Sequence, residues 1–273
     1  MSRPGPAIAA VMLATMIAGV APARADDLEL RPRQDVPLLI GGGLLFVLSE
    51  TLLKDALAPD ACRWCGTNAL DRSIRDALRW DDPSTPASIS NWTGFVAAPV
   101  VMLGGLGAAA LLDDHRDQAW RDAVIVLESA VLAADVTNLA KGAFGRERPF
   151  VHYLDAADKP RTASPQENNL SFFSGHSSFT MSLAVSAGTV ASLRGYRAAP
   201  AVWGAGLGLA LTTGYLRIAA DRHWTTDVVT GWAVGAAVGF AVPYYLHRRS
   251  TTAAPHDVSA SLGPRAVALS FRW

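Results

Sequence analysis

Long stretches without a charged side chain dominate this sequence. Val36 to Ser49, Pro83 to Leu112, Ser177 to Leu193, Ala198 to Leu216 and Val228 to Leu246 contain no Asp, Glu, Lys or Arg. The last two are 19 residues each. At ~1.5 Å rise per residue, a helix of that length extends about 28 Å, close to the thickness of a bilayer's hydrocarbon core. Ala123 to Ala140 is also mostly apolar but carries Glu128 and Asp135, which are seven residues apart and share a helix face. That stripe is expected to be buried or to face the bundle. Glycines recur inside the runs, at Gly104-Gly105-x-Gly107 and Gly204-x-Gly206-x-Gly208. Such spacing weakens a soluble helix and suits close packing between membrane helices. The pattern predicts an all-α fold, a helical bundle of about six membrane-embedded helices.

Three polar connections interrupt it. Lys54 to Asn91 carries mixed charge, and Asn68-x-x-Asp71-x-x-x-Arg75-x-x-x-Arg79 has the spacing of a solvated amphipathic helix at the interface. Lys141 to His176 is rich in Arg, Pro, Asn and Ser, and Arg217 to Asp227 is short. The tail from Val258 to Trp273 alternates loosely about Gly263-Pro264 and admits a small C-terminal hairpin. One such tail cannot build a membrane barrel by itself. At the other end, Met1 to Ala25 has an early Arg3, an apolar stretch Ala7 to Val20 and a small-x-small Ala23-Arg24-Ala25. These are the parts of an export signal peptide. The domain reading is therefore 1-25 signal peptide, 26-249 helical domain and 250-273 C-terminal tail.

Composition sharpens this picture. Hydrophobic residues make up 50% and charged ones 18%, where soluble domains carry roughly a quarter charged. Twenty-four basic against 24 acidic side chains give no net charge, which argues against a nucleic-acid partner. The Cys62-Arg63-Trp64-Cys65 motif reads first as a local disulfide in an oxidising compartment. A zinc site needs about four ligands, and there is no second cysteine pair.

The chemistry concentrates in the polar connections. Lys141, Arg148 and Arg217 offer charge and forked donors suited to a tetrahedral oxyanion. Ser174 stands where a helix N-cap belongs, so its hydroxyl and the N–H groups of Gly175 and beyond face an anion. His223 and Asp227 are four apart on one helix face, so the carboxylate can keep one imidazole nitrogen protonated and leave the other free to attack. His176 comes from a different helix and can protonate a departing oxygen. The order matters more than any member: Lys-x6-Arg-Pro, Ser-Gly-His beginning 25 residues after Pro149, then Arg-x5-His-x3-Asp beginning 41 residues after His176.

This ordered set resembles the signature of the type 2 phosphatidic acid phosphatase superfamily, which also includes vanadate haloperoxidases. The likeness is tight from Lys141 to Asp227 and extends loosely over the helices from Ala123 to Leu246. It implies a metal-independent lipid phosphate or pyrophosphate phosphatase, with no cofactor. His223 would be the nucleophile that becomes phosphorylated, Asp227 its orienting partner and His176 the general acid. Lys141, Arg148, Ser174, Gly175 and Arg217 would hold the phosphoryl oxygens. The chain departs from the usual signature at Phe173 in place of Pro, Leu216 in place of Ser and Asp221 in place of a common Gly. The other readings are a soluble periplasmic acid phosphatase of the same fold, a vanadate-dependent haloperoxidase and a non-catalytic binding protein. Arg194 and Arg197 in one turn, with His247-Arg248-Arg249 after the last helix, put those ends in the cytoplasm by the positive-inside rule. The site would then face the periplasm from the inner membrane. With a cleaved signal, three full crossings before Lys141 would instead place it inside, so Val36 to Leu53 is expected not to cross fully, or the signal is not what it seems.

Overall fold

The computed structural model describes residues 28–249 and the backbone of two short strands beyond them. The signal peptide expected over residues 1-25 therefore lies outside the described residues. Among the described residues, six long helices form an up-down bundle. Helix α1 is built from Pro32–Val36, a π-helical turn at Pro37–Gly41 and Gly42–Glu50. A short helix α2 spans Ala69–Leu78, and α3 runs over Ser84–Leu112 with a π-helical turn at Thr93–Ala97. Then come α4 (Ala119–Phe144), α5 (Gly175–Leu193), α6 (Ala199–Ala219) and α7 (Thr225–Ala241, continued by a π-helical turn at Val242–His247). The backbone of Ser259–Gly263 and Ala266–Ser270 pairs antiparallel, as expected for the tail hairpin.

The expectation of about six membrane-embedded helices is met in part among the described residues. Only α3, α4 and Thr225–His247 are both long and apolar enough to cross a bilayer. Helix α5 sits at the centre, with 15 of its 19 residues buried, so its apolar run serves the protein interior. On the outer faces Ile40, Leu44, Val100, Leu112, Leu139 and Tyr245 are all more than half exposed. An apolar belt of this extent suits lipid contact.

The glycines that bring helices together differ from those expected. A Cβ at Gly104, Gly105, Gly107, Gly204 or Gly208 would meet nothing within 4 Å, and of the two clusters only Gly206 is crowded, against Met102 and Ala184. The close approach is instead made by Gly231, Gly235 and Gly239 of α7. A Cβ at Gly231 would lie 2.7 Å from the Ser174 carbonyl oxygen, one at Gly239 2.6 Å from that of Ser182, and one at Gly235 would collide with that of Ser178. Their spacing of four puts one face of α7 directly on the backbone of α5, which draws the N-termini of the two helices together.

Helix α1 packs along α4. Asp35 lies near Glu128, Gly42 faces Val131 and Asp135, and Asn138 donates to Ser49 Oγ at 2.9 Å, so α1 runs parallel to α4. Residues 28–31 therefore sit at the opposite end of the bundle from Lys141. Helix α1 is not one of the helices long and apolar enough to cross a bilayer, in keeping with the expectation that Val36 to Leu53 does not cross fully. Arg194, one of the residues used to assign sides, is buried in an ion pair with Asp122 at 2.9 Å, and Arg197 pairs with Asp113. Part of that positive signal is therefore structural.

Candidate active site

The helix ends that carry the sequence motifs meet around one cavity of about 500 Å³. Lys141 reaches it from the last turn of α4. That helix ends because Gly145 adopts φ +54°, where its N–H caps the Lys141 carbonyl at 3.0 Å. Gly175 and His176 enter from the start of α5, Arg217 from the end of α6, and Arg222 and His223 from the turn before α7. Arg148, from the loop after α4, completes the wall.

The cations are held by acceptors that leave donors to spare. Arg148 is buried and donates from Nε to the Glu167 carbonyl at 2.8 Å and from Nη1 to the Arg222 carbonyl at 3.2 Å. Arg217 is buried and donates from Nη1 to Ser90 Oγ at 3.1 Å, while its Nε has no partner. A buried guanidinium with an unmet donor beside a cavity is a place for an anion. Ser174 caps α5, its Oγ accepting from the Ser177 amide at 3.4 Å. It is fully buried and does not line the cavity, so the anion-facing role expected of its hydroxyl passes to the cap it makes, while Gly175 and Lys141 lie side by side at the wall.

His223 is almost wholly buried, and its Nδ1 donates to the Ser171 carbonyl at 2.8 Å. A carbonyl only accepts, so this bond fixes the proton on Nδ1 and leaves Nε2 with a bare lone pair. Burial, reinforced by Arg148, Arg217 and Lys141, holds the imidazole well below its ordinary range and so neutral. Asp227 does not hold this ring directly: its Oδ2 is 3.8 Å from Nδ1. It accepts from Ser171 Oγ at 2.6 Å and from the Trp224 amide at 2.9 Å, and its other oxygen takes Arg146. Its orienting effect therefore runs through Ser171. His176 is set by Asn91 of α3, whose Oδ1 lies 2.8 Å from Nε2 and keeps a proton there, and by the Phe95 ring at 4.5 Å.

Several residues at the site carry no motif. Glu167 bonds Lys54 at 2.6 Å and lies near Arg148; burial alone would raise its carboxyl, but these cations hold it down to about 2. Glu50 and Lys54 also line the cavity. Beneath it, Arg146 is fully buried between Asp71, at 2.7 Å, and Asp227, with the Trp64 ring 4.0 Å away. Asp71 further accepts from the Thr226 amide at 2.9 Å. The solvated reading of α2 is thereby corrected: Asn68 caps it and part of its face is solvent-exposed, but Asp71 and Arg75 bind it to the site. Arg75 grips Asp221 through two bonds of 2.5 and 2.6 Å. Asp221 has φ +56°, a conformation natural for the glycine usual in the resembling signature. Here the two Arg75 bonds and Arg79 at 3.2 Å compensate for the side chain. Cys62 and Cys65 are disulfide-bonded with Cα atoms 5.4 Å apart, and the loop they close presents Trp64 to Arg146. Phe173 and Leu216 are buried and do not line the cavity. Glu128 and Asp135 are buried, as their stripe predicts, but outside this site.

A family model described as PAP2 superfamily matches residues 122–251, the segment that holds every one of the three motifs.

Proposed function

The helical core of this chain is a PAP2 superfamily domain, and on that premise we propose a membrane phosphatase that hydrolyses lipid phosphate or pyrophosphate monoesters without a metal. One observation carries the reading: a neutral His223 with its Nε2 lone pair free stands among Lys141, Arg148 and Arg217, whose donors are not all met. His223 Nε2 attacks phosphorus and forms an N–P bond as the bond to the leaving oxygen breaks. Lys141, Arg148, Arg217 and the Gly175 amide stabilise charge on the equatorial oxygens. His176 delivers its proton to the leaving oxygen, and water then cleaves the phosphohistidine to release phosphate. The lipid class is supported by the cavity's apolar wall of Phe46, Ala134, Phe95 and Phe179, which adjoins the exposed apolar faces of α1 and α3. Such a belt favours this reading over a soluble acid phosphatase.

The bilayer is the remaining partner in this proposal, with the active site facing the periplasm of the inner membrane. If α1, which runs from the far end to the site end, crosses, that orientation puts residues 28–31 in the cytoplasm. A cleaved export signal and a periplasmic site then exclude each other if α1, α3 and α4 all cross.

The test is phosphate release by detergent-solubilised protein, with EDTA present, from undecaprenyl pyrophosphate, phosphatidic acid, phosphatidylglycerol phosphate and an aryl phosphate. Release that disappears in His223→Ala supports the proposal. Strong inhibition by EDTA, restored by a divalent ion, would sink the metal-free mechanism.

A further inference from the structure

At the end of the bundle remote from the phosphate cavity, three buried side chains from distant parts of the chain converge. Asp35 comes from the first turn of α1, Glu128 from α4 and His247 from the end of the π-helical turn after α7. One donor atom from each lies within 4.8 Å of the other two. Leu28 pairs with Arg248 as a short antiparallel bridge, and the Glu29 amide donates to the His247 carbonyl at 2.8 Å. The same bridge orients the histidine, because His247 Nδ1 lies 2.9 Å from the Glu29 carbonyl oxygen.

That second bond decides the tautomer. A carbonyl cannot donate, so Nδ1 carries the proton and Nε2 presents its lone pair. Nε2 faces Glu128 Oε2 at 2.6 Å. Two lone pairs stay that close only with a cation between them, either a proton or a metal ion. The other carboxylate oxygen, Glu128 Oε1, is buried and has no hydrogen-bond partner. Asp35 is buried as well, with one oxygen taken by the Arg31 amide. Among the described residues neither carboxylate has a lysine or arginine ion pair, so a single imidazolium leaves the cluster one negative charge in excess. Buried charge of this kind is paired or coordinates a metal.

We propose that Asp35, Glu128 and His247 bind one zinc ion. One imidazole nitrogen and two carboxylate oxygens form a zinc donor set, with water as the fourth ligand. Donors on a tetrahedron with bonds of ~2.0–2.2 Å lie about 3.4 Å apart. Closing the cluster to that geometry parts the Glu128–His247 contact slightly and draws Asp35 in. The Nδ1–H bond to the Glu29 carbonyl is the support that zinc-bound histidines ordinarily have. On binding, zinc replaces the proton held between Nε2 and Oε2, and that proton leaves to solvent. The ion clamps the bridge at residues 28–29 and the start of α1 to α4 and α7.

The test uses the full chain in detergent, stripped with EDTA and dialysed, titrated calorimetrically with zinc chloride in two buffers of different ionisation heat. The expected result is one ion per chain with about one proton released, and affinity weakened by about 100-fold or more in Glu128→Gln and His247→Gln. Phosphate release by these variants, whose changes lie far from the catalytic cavity, confirms that they are folded. Should they fail to fold, X-ray absorption on the zinc-loaded wild type decides: a first shell of nitrogen and oxygen with a single imidazole supports the site, whereas sulfur or several imidazoles overturns it. Absence of binding by the wild type, or equal affinity in the variants, overturns it too.

Discussion

Replacing Gly231 by alanine tests whether the α5–α7 contact builds the active site. The new Cβ would stand 2.7 Å from the Ser174 carbonyl oxygen and 3.1 Å from the Ser177 Cβ, where ordinary contact begins at 3.4 Å. The atom it meets first is backbone, so the helices must part by roughly 0.7 Å at the turn that bears His176; such overpacking costs about 1–3 kcal/mol. A misplacement near 1 Å lowers turnover by about 10²-fold, so a loss of roughly 10- to 100-fold in kcat is expected. Gly104→Ala is the control, because a Cβ there meets nothing within 4 Å. Both variants should be compared by phosphate release and thermal unfolding in the same detergent. A folded Gly231→Ala protein with turnover within twofold of Gly104→Ala would refute the argument.

Three further outcomes are expected. Asp71→Ala leaves Arg146 with one carboxylate and should destabilise the chain by about 3–5 kcal/mol, read as a lowered unfolding midpoint with activity lost in parallel. His223, held well below its ordinary range, should titrate at lower pH than a free imidazole, and its NMR resonance, assigned by difference against His223→Gln, reports this directly. The unfolded chain gains a proton there below about pH 6.5 while the folded chain does not, so this group subtracts stability as pH falls through 6.5. Reporter fusions after residues 60 and 250 should give periplasmic and cytoplasmic signals respectively; the reverse pair would invert the orientation.

Much of the candidate site was legible in the sequence because its residues sit in motifs whose order is distinctive. Lys141, Arg148, Gly175, His176, Arg217 and His223 all line it. Asn91, Glu50, Lys54 and Glu167 were not legible, since each reaches the cavity from a segment with no motif and is recruited only by packing. The Asp71–Arg146–Asp227 chain was hidden for the same reason: helical spacing places Asp71 on a face but does not say that the face is covered. Arg222 lay inside the third motif and could have been found there as a further cation. The sequence did not separate α5 from the helices able to span, because an apolar run bound for a protein interior reads like one bound for lipid. The glycines misled in a similar way, since spacing in sequence does not reveal whether a neighbouring helix is present.

The central claim is that His223 carries the phosphoryl group. The most direct measurement is a rapid alkaline quench of the enzyme with substrate labelled in the phosphoryl group, followed by mass spectrometry of the peptide that bears His223. The account predicts an acid-labile phosphate on His223, formed and consumed at rates that match turnover and absent in His223→Ala. Turnover without any phosphorylated histidine, or with the label on His176, would contradict it.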